Sequence, residues 1–162
     1  MKVHIVMGSY SDKAIGDQVV SVLKEFEVDY SYRVISAHRT PQQAQELARE
    51  VEQNNQQVII AIAGKAAHLA GVLASLTTVP VIGVPVKAST LDGLDALLAT
   101  VQMPKGVPVA TVAIDGGANA ALLALQMLAL ADDNLRQKLK DYKQQLSQET
   151  VAMDEKLQKE LN

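Results

Sequence analysis

The chain contains no cysteine. Disulfide bonds, thiolate nucleophiles and cysteine-ligated metals are therefore excluded, and a reducing compartment suits it. It has no tryptophan and one phenylalanine, and aromatics make up 3% of its 162 residues. Stacking platforms for single-stranded nucleic acid need more rings than that. A formal net charge of −3 gives no general attraction for polyanions, so neither DNA nor RNA is an expected partner. Only one stretch, Ala66 to Val86, is long enough and free enough of Asp, Glu, Lys and Arg to raise the question of a bilayer span. It is interrupted by His68, Gly71, Thr77, Thr78, Pro80 and Pro85, and Thr77-Thr78-Val79-Pro80 reads as a break between a helix and a strand. A buried helix-turn-strand fits better than a membrane span. The segment Met1 to Met7 is too short and too alternating for a signal peptide. A cytoplasmic protein without membrane partners is the expectation.

What the chain does contain is a regular alternation. Its length fits one domain with a continuous core. Lys2 to Met7 reads as a buried strand. Asp12 to Glu25 reads as a helix, with Ile15, Val19, Val22, Leu23 and Phe26 on one face. Tyr30 to Ile35 is a second strand. Pro41 to Gln53 is a second helix, capped by Thr40 and opened by a proline at its first position. The unbroken apolar run Val58 to Ala63 suits a parallel strand covered on both faces. A helix over Ala66 to Ser75, a strand over Pro80 to Val84, a helix over Leu91 to Val101 and a strand over Val107 to Ile114 follow. Ala118 to Ala131 is so apolar that the helix it predicts must be buried on more than one side.

Five alternations with short joins imply a parallel sheet with right-handed crossovers. The expected fold is a three-layer, flavodoxin-like α/β domain with strand order 2-1-3-4-5. Its switch point lies between strands 1 and 3. From Asp132 to Asn162 there is no Gly or Pro, and Leu135, Leu139, Tyr142, Leu146, Met153, Leu157 and Leu161 recur at multiples of 3 and 4. A helix of this length, roughly 45 Å, outreaches the sheet, and its apolar stripe points to another subunit. The expected organisation is a single domain over 1–162, with a core to about 131 and an oligomerisation helix beyond.

Ligands of open α/β sheets bind at the carboxyl edge, near the switch point. The joins after strands 1, 2 and 3 are all polar. Gly8-Ser9-Tyr10-Ser11-Asp12 is a glycine-hydroxyl-carboxylate loop at a helix start, where unpaired N–H groups attract anions. Capping by Ser11 or Asp12 explains one of these residues but not the Gly-Ser pair before it. The loop matches neither the dinucleotide nor the triphosphate glycine patterns. Ser36-Ala37-His38-Arg39-Thr40-Pro41 puts a proton shuttle beside a guanidinium fork suited to phosphate. Gly64-Lys65-Ala66-Ala67-His68-Leu69-Ala70-Gly71 lets backbone approach a ligand closely. His68 falls in the first turn of the following helix and ranks below His38. His4, inside the first strand, reads as structural. No carboxylate-histidine cluster has metal-ligand spacing, and no Ser-His-Asp set can be assigned from order alone. Gly83-Val84-Pro85-Val86 and Met103 to Pro108 could shape a pocket. Asp115-Gly116-Gly117 reads equally well as a turn plus helix cap. These features point to an active site for a small phosphorylated substrate.

Six segments in order then carry a resemblance. They are Met7-Gly8-Ser9-x-Ser11-Asp12, Ser36 to Pro41, Ala66-Ala67-His68-Leu69, Gly83-Val84-Pro85-Val86, Val101-Gln102-Met103-Pro104 and Ala118-Asn119-Ala120-Ala121-Leu122. Over about residues 3 to 131 the chain resembles the class I N5-carboxyaminoimidazole ribonucleotide mutases of purine biosynthesis. The resemblance implies a flavodoxin-like core, an octamer held partly by the C-terminal helices, and neither metal nor organic cofactor. It implies a small ribonucleotide substrate whose carboxyl group moves from the exocyclic nitrogen to ring C4. His38 would be the acid/base. Ser9, Asp12 and Arg39 would bind substrate, with Ser11, Ser36, Ala66, His68 and Leu69 lining the same pocket. Three positions depart from the family: Lys65 stands for its usual Gly, Ala70 for its usual Pro, and Asp115-Gly116-Gly117 for a join containing Gly-Lys. Two other readings are a class II carboxylase acting on free aminoimidazole ribonucleotide with carbon dioxide, and a non-catalytic sensor of a phosphorylated metabolite. Ala66-Ala67-His68-Leu69 favours class I over class II.

Overall fold

The computed structural model describes residues 2–53, 57–88 and 91–161. Strands β1 (Lys2–Met7), β2 (Asp29–Val34), β3 (Gln57–Gly64), β4 (Val81–Val86) and β5 (Ala110–Thr111) form one parallel sheet in the order 2-1-3-4-5. The expected topology is the observed one. Helices α1 (Lys13–Glu25), α2 (Pro41–Glu52), α3 (Leu69–Ala74), α4 (Leu94–Val101), α5 (Gly117–Leu128) and α6 (Asp133–Leu161) provide the crossovers and the C-terminal extension.

The sheet separates two apolar clusters. One is built from Val3, Ile5 and Met7 of β1, Val58, Ile60 and Ile62 of β3, and the inner faces of α1 and α5. The other takes the alternate residues, Val6 of β1 and Ile59 and Ala61 of β3, with α2 and α3. That alternation is the period-2 pleat of a strand covered on both sides, so a run like Val58-Ile59-Ile60-Ala61-Ile62 has no polar member. The α1–α5 pair is especially close. A Cβ on Gly117 would overlap the Ile15 carbonyl oxygen, so only glycine lets the start of α5 meet α1. On the other face, a Cβ on Gly83 would collide with Thr100 of α4. Thr100 is buried and donates to the Ala96 carbonyl at 2.8 Å and weakly to that of Ala67 at 3.5 Å, which ties α4 to the loop after β3.

Several boundaries differ from expectation for identifiable reasons. The fifth strand shrinks from eight residues to two, which pair with Ile82 and Gly83. Pro108 has no N–H to donate, and only the Ala110-Thr111 step lies in register with β4. The helix expected from Ala66 begins at Leu69, because Lys65 takes a left-handed turn (φ 53°) and Ala67 and His68 donate to carbonyls two residues back. His68 is thus the residue before α3 rather than part of its first turn. The helix expected from Leu91 is α-helical only from Leu94, after left-handed backbone at Leu91, Asp92 and Gly93. Thr40 precedes α2 but does not cap it with its side chain.

His4 is buried at the amino edge of the sheet between Ser31 (2.8 Å to Nδ1) and Gln57 at Nε2. Burial lowers its pKa, and the Gln57 bond opposes that shift. Helix α6 has 29 residues, roughly 44 Å. Leu135, Leu139 and Tyr142 pack on the α1–α5 side, with the Tyr142 ring edge-on to Phe26 at 5.6 Å. Further along, Leu146, Val151, Met153, Leu157 and Leu161 are exposed. Among the described residues no helix is long and apolar enough to cross a membrane.

Candidate active site

The carboxyl ends of β1, β2, β3 and β4 surround a cleft of about 670 Å³. Eight of the nine residues singled out from the sequence line it: Ser9, Ser11, Asp12, Ser36, His38, Arg39, Ala66 and Leu69. His68 does not line it directly, but its ring meets that of His38.

The first wall follows β1. Gly8 N–H donates to the Ile62 carbonyl at 2.9 Å, which extends the β1–β3 ladder by one residue and then releases the chain. Ser9 caps a short 3-10 turn over Tyr10–Asp12, its Oγ accepting from Ser11 N–H at 3.3 Å. Ser11 Oγ contacts Ser9 Oγ at 2.9 Å and Asp12 Oδ1 at 3.2 Å. The cap is therefore Ser9, and Asp12 is freed from capping α1. Asp12 is 8% exposed, and burial pushes its carboxyl above the ordinary aspartate value, against the opposing hydrogen bonds from Ser11 and the Ser9 backbone.

The second wall is a clasped turn after β2. Ser36 N–H donates to Thr40 Oγ1 at 3.0 Å, and Thr40 returns its N–H and Oγ1 to the Ser36 carbonyl at 2.8 and 3.1 Å. The threonine expected as a helix cap thus closes the loop that carries His38 at its tip. Arg39 is pinned by its backbone N–H and Nε to Ser36 Oγ (3.2 and 3.3 Å) and by Nη2 to the Gly8 carbonyl (3.3 Å). Its guanidinium bridges the first and second loops.

The third wall is the loop after β3. Here His68 Nδ1 lies 3.1 Å from His38 Nε2, with the rings edge to face at 5.2 Å and 79°. Residues thirty apart in sequence are joined because β1 sits between β2 and β3. His38 Nδ1 has no hydrogen-bond partner among the described residues. A titratable ring held at one nitrogen and free at the other suits it to carrying a proton, and the neighbouring hydroxyls, arginine and N–H groups suit a phosphate. Among the described residues no group of three or more His, Asp or Glu is placed to hold a metal ion.

The AIR carboxylase family profile matches residues 2–149. The chain belongs to this family. N5-carboxyaminoimidazole ribonucleotide mutase of Methanocaldococcus jannaschii is 57% identical over 154 residues, covering 94% of this chain and 95% of that protein. The mutase of Pyrococcus abyssi is 56% identical over 145 residues, covering 90% and 83%. Among solved structures, Treponema denticola PurE superposes with a TM-score of 0.89 at 30% identity, over 96% of this chain and 98% of that one.

Within this cleft the sequence reading missed Lys87 and Ala88, which line it with Gly8, Ala37, Ala63, Gly64, Lys65 and Val86. The signal for Lys87 was its place just beyond an apolar strand, at the same sheet edge as the polar joins. Its N–H donates to Asp115 Oδ1 at 2.9 Å, and Asp115 N–H donates to the Pro85 carbonyl. The Asp115-Gly116-Gly117 join is therefore a clamp on the end of β4. The Met103–Pro108 loop does not reach the cleft; Met103 lies against Gly71 instead.

Proposed function

We propose that the chain is an N5-carboxyaminoimidazole ribonucleotide mutase, converting the carbamate nucleotide to 4-carboxy-5-aminoimidazole ribonucleotide. The observation that carries this is the His38–His68 pair at a cleft of small residues and phosphate donors, in a chain more than half identical to proteins named as that mutase. Those names favour isomerisation over direct carboxylation of the aminoimidazole ribonucleotide.

The isomerisation needs no net proton, so one base suffices. Protonated His38 donates to the carbamate nitrogen, the N–C bond breaks, and carbon dioxide is released. The electron-rich C4 of the aminoimidazole attacks the carbon dioxide, forming the C–C bond. Neutral His38 then takes the proton from C4 and returns to its starting state. We assign the exchange to Nδ1, the nitrogen that His68 leaves free. Gly8, Ala37, Gly64 and Ala66 line the cleft and let the carbon dioxide stay beside C4, which contributes through proximity. Ser9, Ser11, Ser36 and Arg39 hold the phosphate, and Asp12 binds the sugar end of the substrate. Binding far from the reacting carbon thereby positions the ring.

The same proposal covers the assembly. The chain would be a single domain, with a core to about residue 131 and α6 as an oligomerisation helix in a homo-octamer. The exposed stripe Leu146, Met153, Leu157 and Leu161 supports this, and a monomeric mass in light scattering would refute it. Cytoplasmic residence belongs to the proposal too, and recovery with a membrane fraction would count against it.

The test is to mix the protein with the carbamate nucleotide and follow the C4-carboxylated product. His38→Asn should keep substrate affinity and lose about 10²–10⁴-fold in turnover. Wild-type turnover in that variant would remove His38 from the mechanism.

A further inference from the structure

Among the described residues three that carry a fixed positive charge line the cleft: Arg39, Lys65 and Lys87. Two are already engaged. Arg39 donates to Ser36 and Gly8, and Lys87 is ion-paired with Asp92 at 3.1 Å. The Lys65 ammonium has neither hydrogen bond nor ion pair among the described residues. Its backbone is left-handed, with φ 53°. Glycine adopts that conformation freely, and a lysine does so at a cost. Lys65 is exposed, so water satisfies its charge in the free protein, and what marks it out is a strained backbone in the wall of a cleft, where strain is kept for binding rather than for folding.

The placement says which ligand group. Arg39 stands at the β1–β2 side of the site and Lys65 at the end of β3, three residues before His68. The His38–His68 contact lies between these two loops. A nucleotide with its phosphate on the Arg39 side therefore presents its second anionic group beyond the histidines, towards Lys65. We propose that Lys65 is a specificity-determining residue that binds the migrating carboxylate of the substrate, an inference that rests on the mutase reading. A compact ammonium on a flexible stem can follow that group over the short path from the exocyclic nitrogen to C4. It holds the carboxylate before and after migration alike. It therefore acts on KM more than on kcat.

The experiment is equilibrium binding of 4-carboxy-5-aminoimidazole ribonucleotide and of aminoimidazole ribonucleotide, which lacks the carboxyl group. Wild type, Lys65→Gln, Lys65→Gly and Lys65→Arg are compared by calorimetry. Lys65→Gly relaxes the backbone and Lys65→Gln keeps it strained, so a loss common to both belongs to the charge. Expected is a loss of about tenfold for the carboxylated nucleotide, the scale of one charge-assisted hydrogen bond, with the decarboxylated one nearly unaffected and Lys65→Arg close to wild type. In turnover, KM should rise while kcat holds. An equal loss for both nucleotides, or none for either, overturns the assignment. If wild type binds both nucleotides but does not isomerise the carbamate, the mutase reading falls while the binding ratio still decides Lys65. If it binds neither, both fall.

Discussion

His68→Ala deletes the ring whose Nδ1 lies 3.1 Å from His38 Nε2. Two roles for His68 predict different sizes of effect. If it only orients His38, the variant loses one hydrogen bond between exposed groups, worth about 0.5–1.5 kcal/mol net. That corresponds to about 2- to 13-fold. The edge-to-face ring contact adds at most a similar amount. If His68 itself exchanges the proton, the loss should reach about 10²–10⁴-fold. The geometry favours the smaller figure, because His68 does not line the cleft and His38 does. Initial rates with the carbamate nucleotide, measured across pH, should therefore show a drop of roughly tenfold in kcat with the shape of the profile kept. His68→Asn, whose amide offers both an acceptor and a donor near the Nδ1 position, should recover part of it. A thousandfold loss with one limb of the pH profile gone would refute the orienting role. Full activity in His68→Ala would make the contact incidental.

Two further outcomes follow from the walls of the site. Burial raises the Asp12 carboxyl above its unfolded value of roughly 4, so the folded chain holds that proton longer. Its contribution favours folding below that pH and is lost as pH rises through the folded value, leaving ionised Asp12 destabilising at neutrality. Asp12→Asn should melt higher than wild type at neutral pH, with the difference shrinking below about pH 4, while substrate binding weakens. A melting difference independent of pH would contradict this. Gly117→Ala forces a methyl against the Ile15 carbonyl oxygen, a backbone atom that cannot step aside cheaply. The expected cost is about 1–3 kcal/mol in urea unfolding, and an unchanged midpoint would show that α1 and α5 can separate freely.

The local joins were the most legible features. Ser9, Ser11, Asp12, Ser36, His38, Arg39, Ala66 and Leu69 were readable because strand-to-helix joins at a carboxyl edge expose whatever polar residues they carry. What Thr40 does was not readable. A threonine before a proline-opened helix has the local signature of a cap, yet here its hydroxyl closes the turn back to Ser36. Nor was the role of Asp115. Its side chain fixes the backbone of Lys87, twenty-eight residues away, across the β4–β5 edge.

The order of strands and helices and the two-sided burial of β3 were settled by the sequence alone. Hydrophobic periodicity is a local property, and a run like Val58 to Ala63 has only one low-energy use in a chain of this pattern. The meeting of His38 with His68, the shrinking of the fifth strand to two residues and the unpaired state of Lys65 were decided only by tertiary structure. The alternation of strands and helices was enough to expect the strand order, but each of these depends on register and on the close approach of residues tens of positions apart, which local pattern does not encode.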